Sequence, residues 1–453
     1  MTNNKQESSY SAAMLAKFII PSLVGAALFL TPIEYQGKYT VVLGIWAETI
    51  RASLGSTMAY VTTAIFATSA ILSLVFSVGP THWAKTFPKL YSLFNTGSVW
   101  LALRVLGGIF SVMTLLQFGP DWVTSKETGV TAFVDVAGII FCLIGIGCLC
   151  LPLLTDYGIL EFVGTLLRRV FQRIFGLPGR ATIDALASWV GSSSIAVLVT
   201  IRQYETGYYT MREASVIATN FSVVSVPFVV LIAQVAGIAQ HFFLLYGAMV
   251  FIGVLCAIIT PRLPPLSSVL DEFYEPAGKQ IKEEVEHGHT ALRWAFDRGI
   301  ERAAQAPGLL EMLRRGVSSL IDLFFTMMPA AMTIEFLTLA VYYHTEILQV
   351  LTAPLVPILN LLQIPESAAA APGVMVGLLD QFVPAIIAGG IDNPKTSFVL
   401  AGLSVTQLIF FAESAILILR SNIPLGLFQL VTIFCLRTVI ALPLLALIAH
   451  AFL

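Results

Sequence analysis

Residues 189 to 198 read WVGSSSIAVL, and a second stretch, 376 to 385, reads VGLLDQFVPA. Ser192, Ser193 and Ser194 follow Gly191, and Asp380 with Gln381 follows Gly377, each group inside otherwise apolar chain. Hydroxyls and an amide in this density suit hydrogen bonding to a polar organic molecule, and a carboxylate can add a cation or an amine. Serines at membrane depth also serve their own helix or let helices pack closely, so each serine has a structural reading beside the binding one. A carboxylate there is costlier and points more strongly to contact with a solute or an ion.

The surroundings decide how costly. The chain has 453 residues, 57% of them hydrophobic and 11% charged, a balance that soluble globular domains do not show. A helical crossing needs about 20 mostly apolar residues. Stretches 14–33, 58–79, 97–118, 131–153, 213–238, 241–260, 316–342, 396–419 and 424–447 meet that need and predict an all-α, polytopic protein with about nine transmembrane helices. A net charge of −2 and the lack of a basic patch with interleaved aromatics give no basis for a nucleic-acid partner. The first apolar stretch has no small-residue cleavage site after it and reads as a retained helix. Cys142, Cys148, Cys150, Cys256 and Cys435 all fall in predicted spans and read as small buried hydrophobes. No HExxH, Gly-x-Ser-x-Gly elbow or phosphate loop occurs, so an enzyme is not expected.

Basic residues mark the cytoplasmic side. Arg168, Arg169, Arg173 and Arg180 precede the serine stretch, Arg202 and Arg212 follow it, and Arg262, Arg314 and Arg315 flank the polar segment 262–315. They share one side if residues 182–205 enter the membrane and return as a re-entrant hairpin. Lys5, Lys17, Lys85 and Lys89 join them if 40–56 lies along the outer face, which puts the N-terminus in the cytoplasm and the protein in the cell inner membrane. Segment 262–315 is expected to be a solvated helical linker of nearly balanced charge. Within it, Glu286, His287 and His289 lack a third ligand at a regular spacing and predict no metal site.

The linker divides the chain into similar halves. LPGRATIDALASWVGSSSIAVLV from Leu177 runs parallel to IPESAAAAPGVMVGLLDQFVPAII from Ile364; Thr210 falls opposite Thr396, and ATNFSVVS (218–225) opposite SVTQLIFF (404–411). Each half predicts a broken hairpin, the second entering from outside, so the repeat is inverted. Two half-helices span about half of a hydrocarbon core about 30 Å thick, which places both turns near the midplane. Non-helical chain survives there beside a cavity or inside protein, and half-helix ends aim unpaired N–H and C=O groups at a common point. Discontinuous helices in inverted repeats are a mark of secondary transporters. The expected organisation is a scaffold of membrane helices (1–155), a repeat with hairpin 1 (160–260), the linker, and a repeat with hairpin 2 (316–453). The following helices add Thr219, Asn220, Ser222 and Ser225 in one half and Ser404, Thr406, Gln407, Glu413 and Ser414 in the other. Carbonyls freed by an unwound turn would suit Na⁺. Glu335 and Arg437 have no evident partner, and Glu335 and Glu413 are proton-relay candidates.

The run VGSSSIAVLVTIRQYETGYYTMREASVIATNFSVVS resembles the first hairpin and following helix of the nucleoside-recognition (Gate) domain of concentrative nucleoside transporters and their relatives. The whole chain most resembles the YjiH-like membrane proteins that carry it. Gly191, Leu198, Arg202-Gln203-Tyr204 and Thr210-x-x-Glu213 keep the family's frame, and Asp380-Gln381-Phe382-Val383 stands where the transporters have Asn-Glu-Phe-Val. The resemblance implies that Ser192, Ser193, Ser194, Asp380 and Gln381 contact solute, and that Asn220 and Ser222 with the hairpin tip form a cation site; the polar residues of the following helices add Gln407 and Glu413 to the expected solute contacts and Thr219 to the expected cation site. Ser192 and Ser194 replace a Gln and a Glu that hold base and sugar in those transporters. The likeness therefore extends to fold more than to substrate. The expectation is a transporter of a small polar solute, nucleoside-like or an amino acid or short peptide, coupled to Na⁺ or H⁺ and without a cofactor. A homo-oligomer or a partner Gate protein is expected among its partners, and a non-transporting Gate-domain structural or partner subunit stands as the alternative function.

Overall fold

The computed structural model describes residues 10–80, 82–190, 193–279 and 290–453, with the backbone alone described at residues 190 and 193–195. Among these residues, seven helices are long and apolar enough to cross a bilayer: Ala12–Phe29, Thr57–Val78, Ser98–Leu116, Asp121–Thr155, Ala239–Arg262, Leu309–His344 and Leu427–Phe452. The chain is a polytopic all-α membrane protein. The other two expected crossings are interrupted. Stretch 213–238 forms Met211–Asn220 and Val226–Val235, and stretch 396–419 forms Pro394–Thr406 and Ser414–Leu419. The nine expected crossings are thus seven continuous helices and two broken ones.

Local chemistry accounts for both breaks. Pro227 lies in the first turn of Val226–Val235 and has no N–H, so the carbonyl four residues back, Val223, lacks a helical partner. Ser188 Oγ donates to that carbonyl at 2.9 Å. In the second break Leu408 adopts a left-handed conformation, φ 62°, which costs a branched residue about 1–2 kcal/mol. Ser414 holds the loop: its hydroxyl accepts from Phe410 N and donates to Leu408 O.

Each half carries a helical hairpin just before its broken helix. Hairpin 1 consists of Ala181–Val190 packed on Ser193–Glu205, and hairpin 2 of Ser367–Val376 packed on Val383–Gly389. Hairpin 1 leads into a capping box in which Thr210 Oγ1 accepts from Glu213 N and the Glu213 carboxylate accepts from Thr210 N. The packing between halves is reciprocal. The second arm of hairpin 1 lies against Ser414–Leu419, and the second arm of hairpin 2 lies against Val226–Val235. Each hairpin therefore leans on the far piece of the other half's broken helix, where Phe228 and Phe382 bring their rings to 4.7 Å.

Outside this core, Pro32–Tyr35 and Lys38–Val41 form a two-stranded antiparallel ribbon turned at Gln36 and Gly37. The helix Val42–Leu54 follows and docks on Asp121–Thr155, with Arg51 and Asp135 paired at 3.3 Å. The polar linker is less solvated than its composition implies. Ala291–Ala304 packs on Ile159–Phe175 and Ala12–Phe29, where Phe18, Phe162 and Phe296 cluster, and Arg302 bridges Asp156 and Glu161 at 3.1 and 3.2 Å. Another part of the linker latches onto the exit of hairpin 1: Thr210 Oγ1 donates to Asp271, and Met211 N to Glu272 O. The crossing expected from residue 316 begins as a helix at Leu309. Glu286, His287 and His289 lie outside the described residues.

Candidate functional site

Two polar centres lie where the hairpins meet the broken helices. The first is built on the hairpin 2 turn. The Asp380 carboxyl is buried and accepts from Phe382 N at 2.7 Å, which caps the start of the arm Val383–Gly389. Ser404 donates to the Gln381 carbonyl, and Gln407 Nε2 donates to Val374 O and Thr438 Oγ1, both at 2.9 Å. In the second break Phe411 N and Ala412 N donate to Leu378 O and Leu379 O, so the unwound chain and the hairpin turn satisfy each other's backbone groups. Asp380, Gln381, Gln407 and Glu413 are thereby brought into one region. Glu413 is the residue before Ser414–Leu419 and lies within electrostatic reach of Asp380. Two amide oxygens, Gln381 Oε1 and Gln407 Oε1, are buried here without a hydrogen-bond partner among the described residues. Gly377 lies close under Gln407: a Cβ there would stand 2.1 Å from Gln407 Oε1, so the amide would have to move aside.

The second centre is one the sequence did not reveal. Arg437, on the C-terminal helix, is fully buried. Its Nε and Nη2 donate to the Thr406 carbonyl at 3.0 and 2.7 Å, and its Nη1 donates to Asn220 Oδ1 at 2.7 Å and to the Thr219 carbonyl at 3.5 Å. Asn220 ends the first half of one broken helix, and Thr406 ends the first half of the other. One guanidinium thus sits at two helix C-termini, where partial negative charge collects on unpaired carbonyls. Thr260 Oγ1 also donates to Asn220 Oδ1, at 2.7 Å.

This geometry bears on the expected cation residues. Thr219 Oγ1 donates to Ser215 O, Ser222 Oγ to Ala218 O, and Asn220 is engaged by Arg437 and Thr260. A fixed cation therefore stands on the carbonyls and the side-chain oxygen that freed helix ends would offer to a mobile one. Arg437, for which the sequence suggested no partner, has its partners on segments far away in the chain. Ser192 lies outside the described residues, as do the side chains of Ser193 and Ser194, so their expected contacts are outside them too.

A cavity of 310 Å³ adjoins the second centre. Its walls are mostly apolar, with Phe171, Phe175, Trp189, Phe221 and Met249, while Thr182, Asn220, Thr406 and Arg437 supply polar atoms. The Thr182 hydroxyl is buried and unpartnered. Small-molecule sites commonly combine about 300–1,000 Å³ of apolar space with a few convergent polar groups.

The sequence matches known proteins over the hairpin 1 region and over its whole length. A domain family described as nucleoside recognition, or Gate, matches residues 137–239, which contain hairpin 1 and the first broken helix. An uncharacterized protein of Alkalihalophilus pseudofirmus is 40% identical over 448 residues, covering 99% of this chain and 97% of that one. The chain belongs to the family of that protein. It is a membrane protein with a nucleoside-recognition domain, as the motifs around hairpin 1 imply. A solved structure described as CNTnw in an inward-facing substrate-bound state overlaps 90% of this chain and 96% of its own, with 11% identity and a TM-score of 0.38, a likeness too low to carry an argument.

Proposed function

We propose that this protein is a cation-coupled secondary transporter that moves a small polar organic solute across the cell inner membrane by alternating access, with its N-terminus in the cytoplasm. The observation that supports this most is the reciprocal packing of two hairpins on two broken helices, both broken helices ending on Arg437 beside the 310 Å³ cavity. Irregular backbone at membrane depth is costly unless it lines a site, and paired discontinuous helices are how such transporters build one. The hairpins make the mobile part and the long helices of the N-terminal region the scaffold. The nucleoside-recognition match favours a nucleoside-like solute. The unpartnered oxygens of Gln381 and Gln407 favour one rich in N–H or O–H donors, which an amino acid or short peptide also satisfies.

The test is a thermal-shift screen of the purified full-length protein against nucleosides, nucleobases, amino acids and dipeptides. A ligand bound to the folded state raises the melting temperature, by about 2.7 kcal/mol of stabilisation at a hundredfold excess over Kd. Asp380→Asn keeps an oxygen to accept from Phe382 N, so its melting temperature without ligand should change little, while the ligand-induced shift should shrink. If no compound in these classes shifts the transition, the transport reading fails.

A further inference from the structure

Glu335 lies midway along Met328–His344, the second part of the helix Leu309–His344, fully buried, and neither of its carboxyl oxygens has a hydrogen-bond partner among the described residues. Every other carboxylate buried near the site has one; Asp380 is capped by Phe382 N. The ionisable groups on the elements around Glu335 explain why no partner reaches it. On Ser98–Leu116, Arg104 is committed to Thr326 O, Ser73 Oγ and Leu93 O. On Asp121–Thr155, Asp135 pairs with Arg51, and Glu127 lies within electrostatic reach of Tyr343, two turns from Glu335. Asp121 and Lys126 belong to the outer end of that helix, and neither Ile347–Thr352 nor the hairpin 2 arm Val383–Gly389 carries an ionisable residue. Asp380, in the turn of the hairpin packed against this helix, lies within electrostatic reach of Glu335.

An unpaired charge in hydrocarbon is costly, and a second carboxylate beside it makes ionising both costlier still. Among the described residues no cationic side chain is paired with either carboxyl, and Arg437 is held at the two helix ends. A neutral, protonated carboxyl removes both penalties.

We propose that Glu335 is a proton-binding site, occupied while hairpin 2 lies against Leu309–His344 and emptied when the hairpin moves away and admits water. As the site of the coupling ion it rests on the transport reading, and names that ion as H⁺; as a proton site it stands on the burial and isolation of the carboxyl. Proton loss at Glu335 and movement of the Asp380 turn are then one event, because the departing hairpin exposes the group that must ionise.

The experiment is infrared spectroscopy of the full-length protein in lipid nanodiscs near neutral pH, comparing the wild type with Glu335→Gln and Glu335→Asp. A protonated carboxyl shows a carbonyl stretch above the amide band. That band should be present in the wild type, vanish in Glu335→Gln, and shift in frequency in Glu335→Asp, which also serves if the glutamine variant does not fold. Identical spectra for the wild type and the variants overturn the proposal. So does a wild type that lacks the band and is stabilised by NaCl but not by choline chloride, with the effect lost in Glu335→Gln, since the carboxylates would then hold Na⁺. These readouts need no solute, so they separate from the thermal-shift screen. A present band with no solute hit sinks transport alone, and a solute hit without the band sinks the proton site alone.

Discussion

At the scale of single residues, Arg437 makes the most demanding prediction. Its five N–H groups form a planar fork, and the structure uses that fork to join Thr406 O with Asn220 Oδ1. Removing it leaves several buried acceptors unpaired and two helix ends without a cation. Arg437→Ala should cost about 1–3 kcal/mol for each buried acceptor it leaves unpaired. Arg437→Lys keeps the charge but not the fork, and should lose less. Thermal unfolding in nanodiscs reads both, and an alanine variant that melts like the wild type would mean the clamp holds nothing. Arg437 itself was visible in the sequence as an intramembrane charge. Its role was not, because Asn220 lies 217 residues away and Thr406 on a different broken helix.

The elements set how hairpin and broken helix fit together. Hairpin 2 closes on Gln407 through Gly377, where a side chain would have to displace the Gln407 amide and disturb its bonds to Val374 O and Thr438 Oγ1. Gly377→Ala should therefore push the hairpin turn from the second broken helix and destabilise the protein by about 1–3 kcal/mol, the usual cost of overpacking. The same variant should weaken any ligand found in the screen, because Asp380 and Gln381 ride on that turn; unchanged melting and unchanged ligand response together would show that the contact yields freely. Both hairpins were legible in the sequence from their length, their glycine and polar turns, and the placement of arginines. The breaks in 213–238 and 396–419 were not. Their apolar composition satisfies a length rule, and the interruption depends on one proline in the first case and on a left-handed Leu408 braced by Ser414 in the second. The discrepancy has one cause: hydropathy counts side chains, whereas a break concerns backbone partners supplied by another element, such as Ser188 for Val223.

For the whole molecule, the transport proposal together with the reciprocal packing predicts that the hairpins and broken helices move as a unit against the helices of the N-terminal region. Hydrogen exchange should show this. With a ligand bound, protection should rise in 181–205, 377–389 and the two interruptions, while Thr57–Val78 and Ser98–Leu116, which pack along each other, should exchange as before. Equal changes everywhere would argue for general stabilisation instead of a moving part. The linker enters the same scale. Asp271 and Glu272 hold the Thr210 cap and Ala291–Ala304 docks on Ile159–Phe175, so a segment that reads as solvated ties hairpin 1 to the first helices. Balanced charge gave no hint of this docking, which rests on Phe18, Phe162 and Phe296.

By itself the sequence determined the class of protein, the number of membrane-depth segments, the duplicated order of hairpin and following helix, and the polar residues of the hairpin 2 turn. These follow from local signals: apolar length, turn chemistry and the bias of basic residues. Tertiary structure alone decided which polar groups find partners. It gave Arg437 to two helix ends and left Glu335 with none, because a buried group's state depends on atoms brought near it from distant parts of the chain.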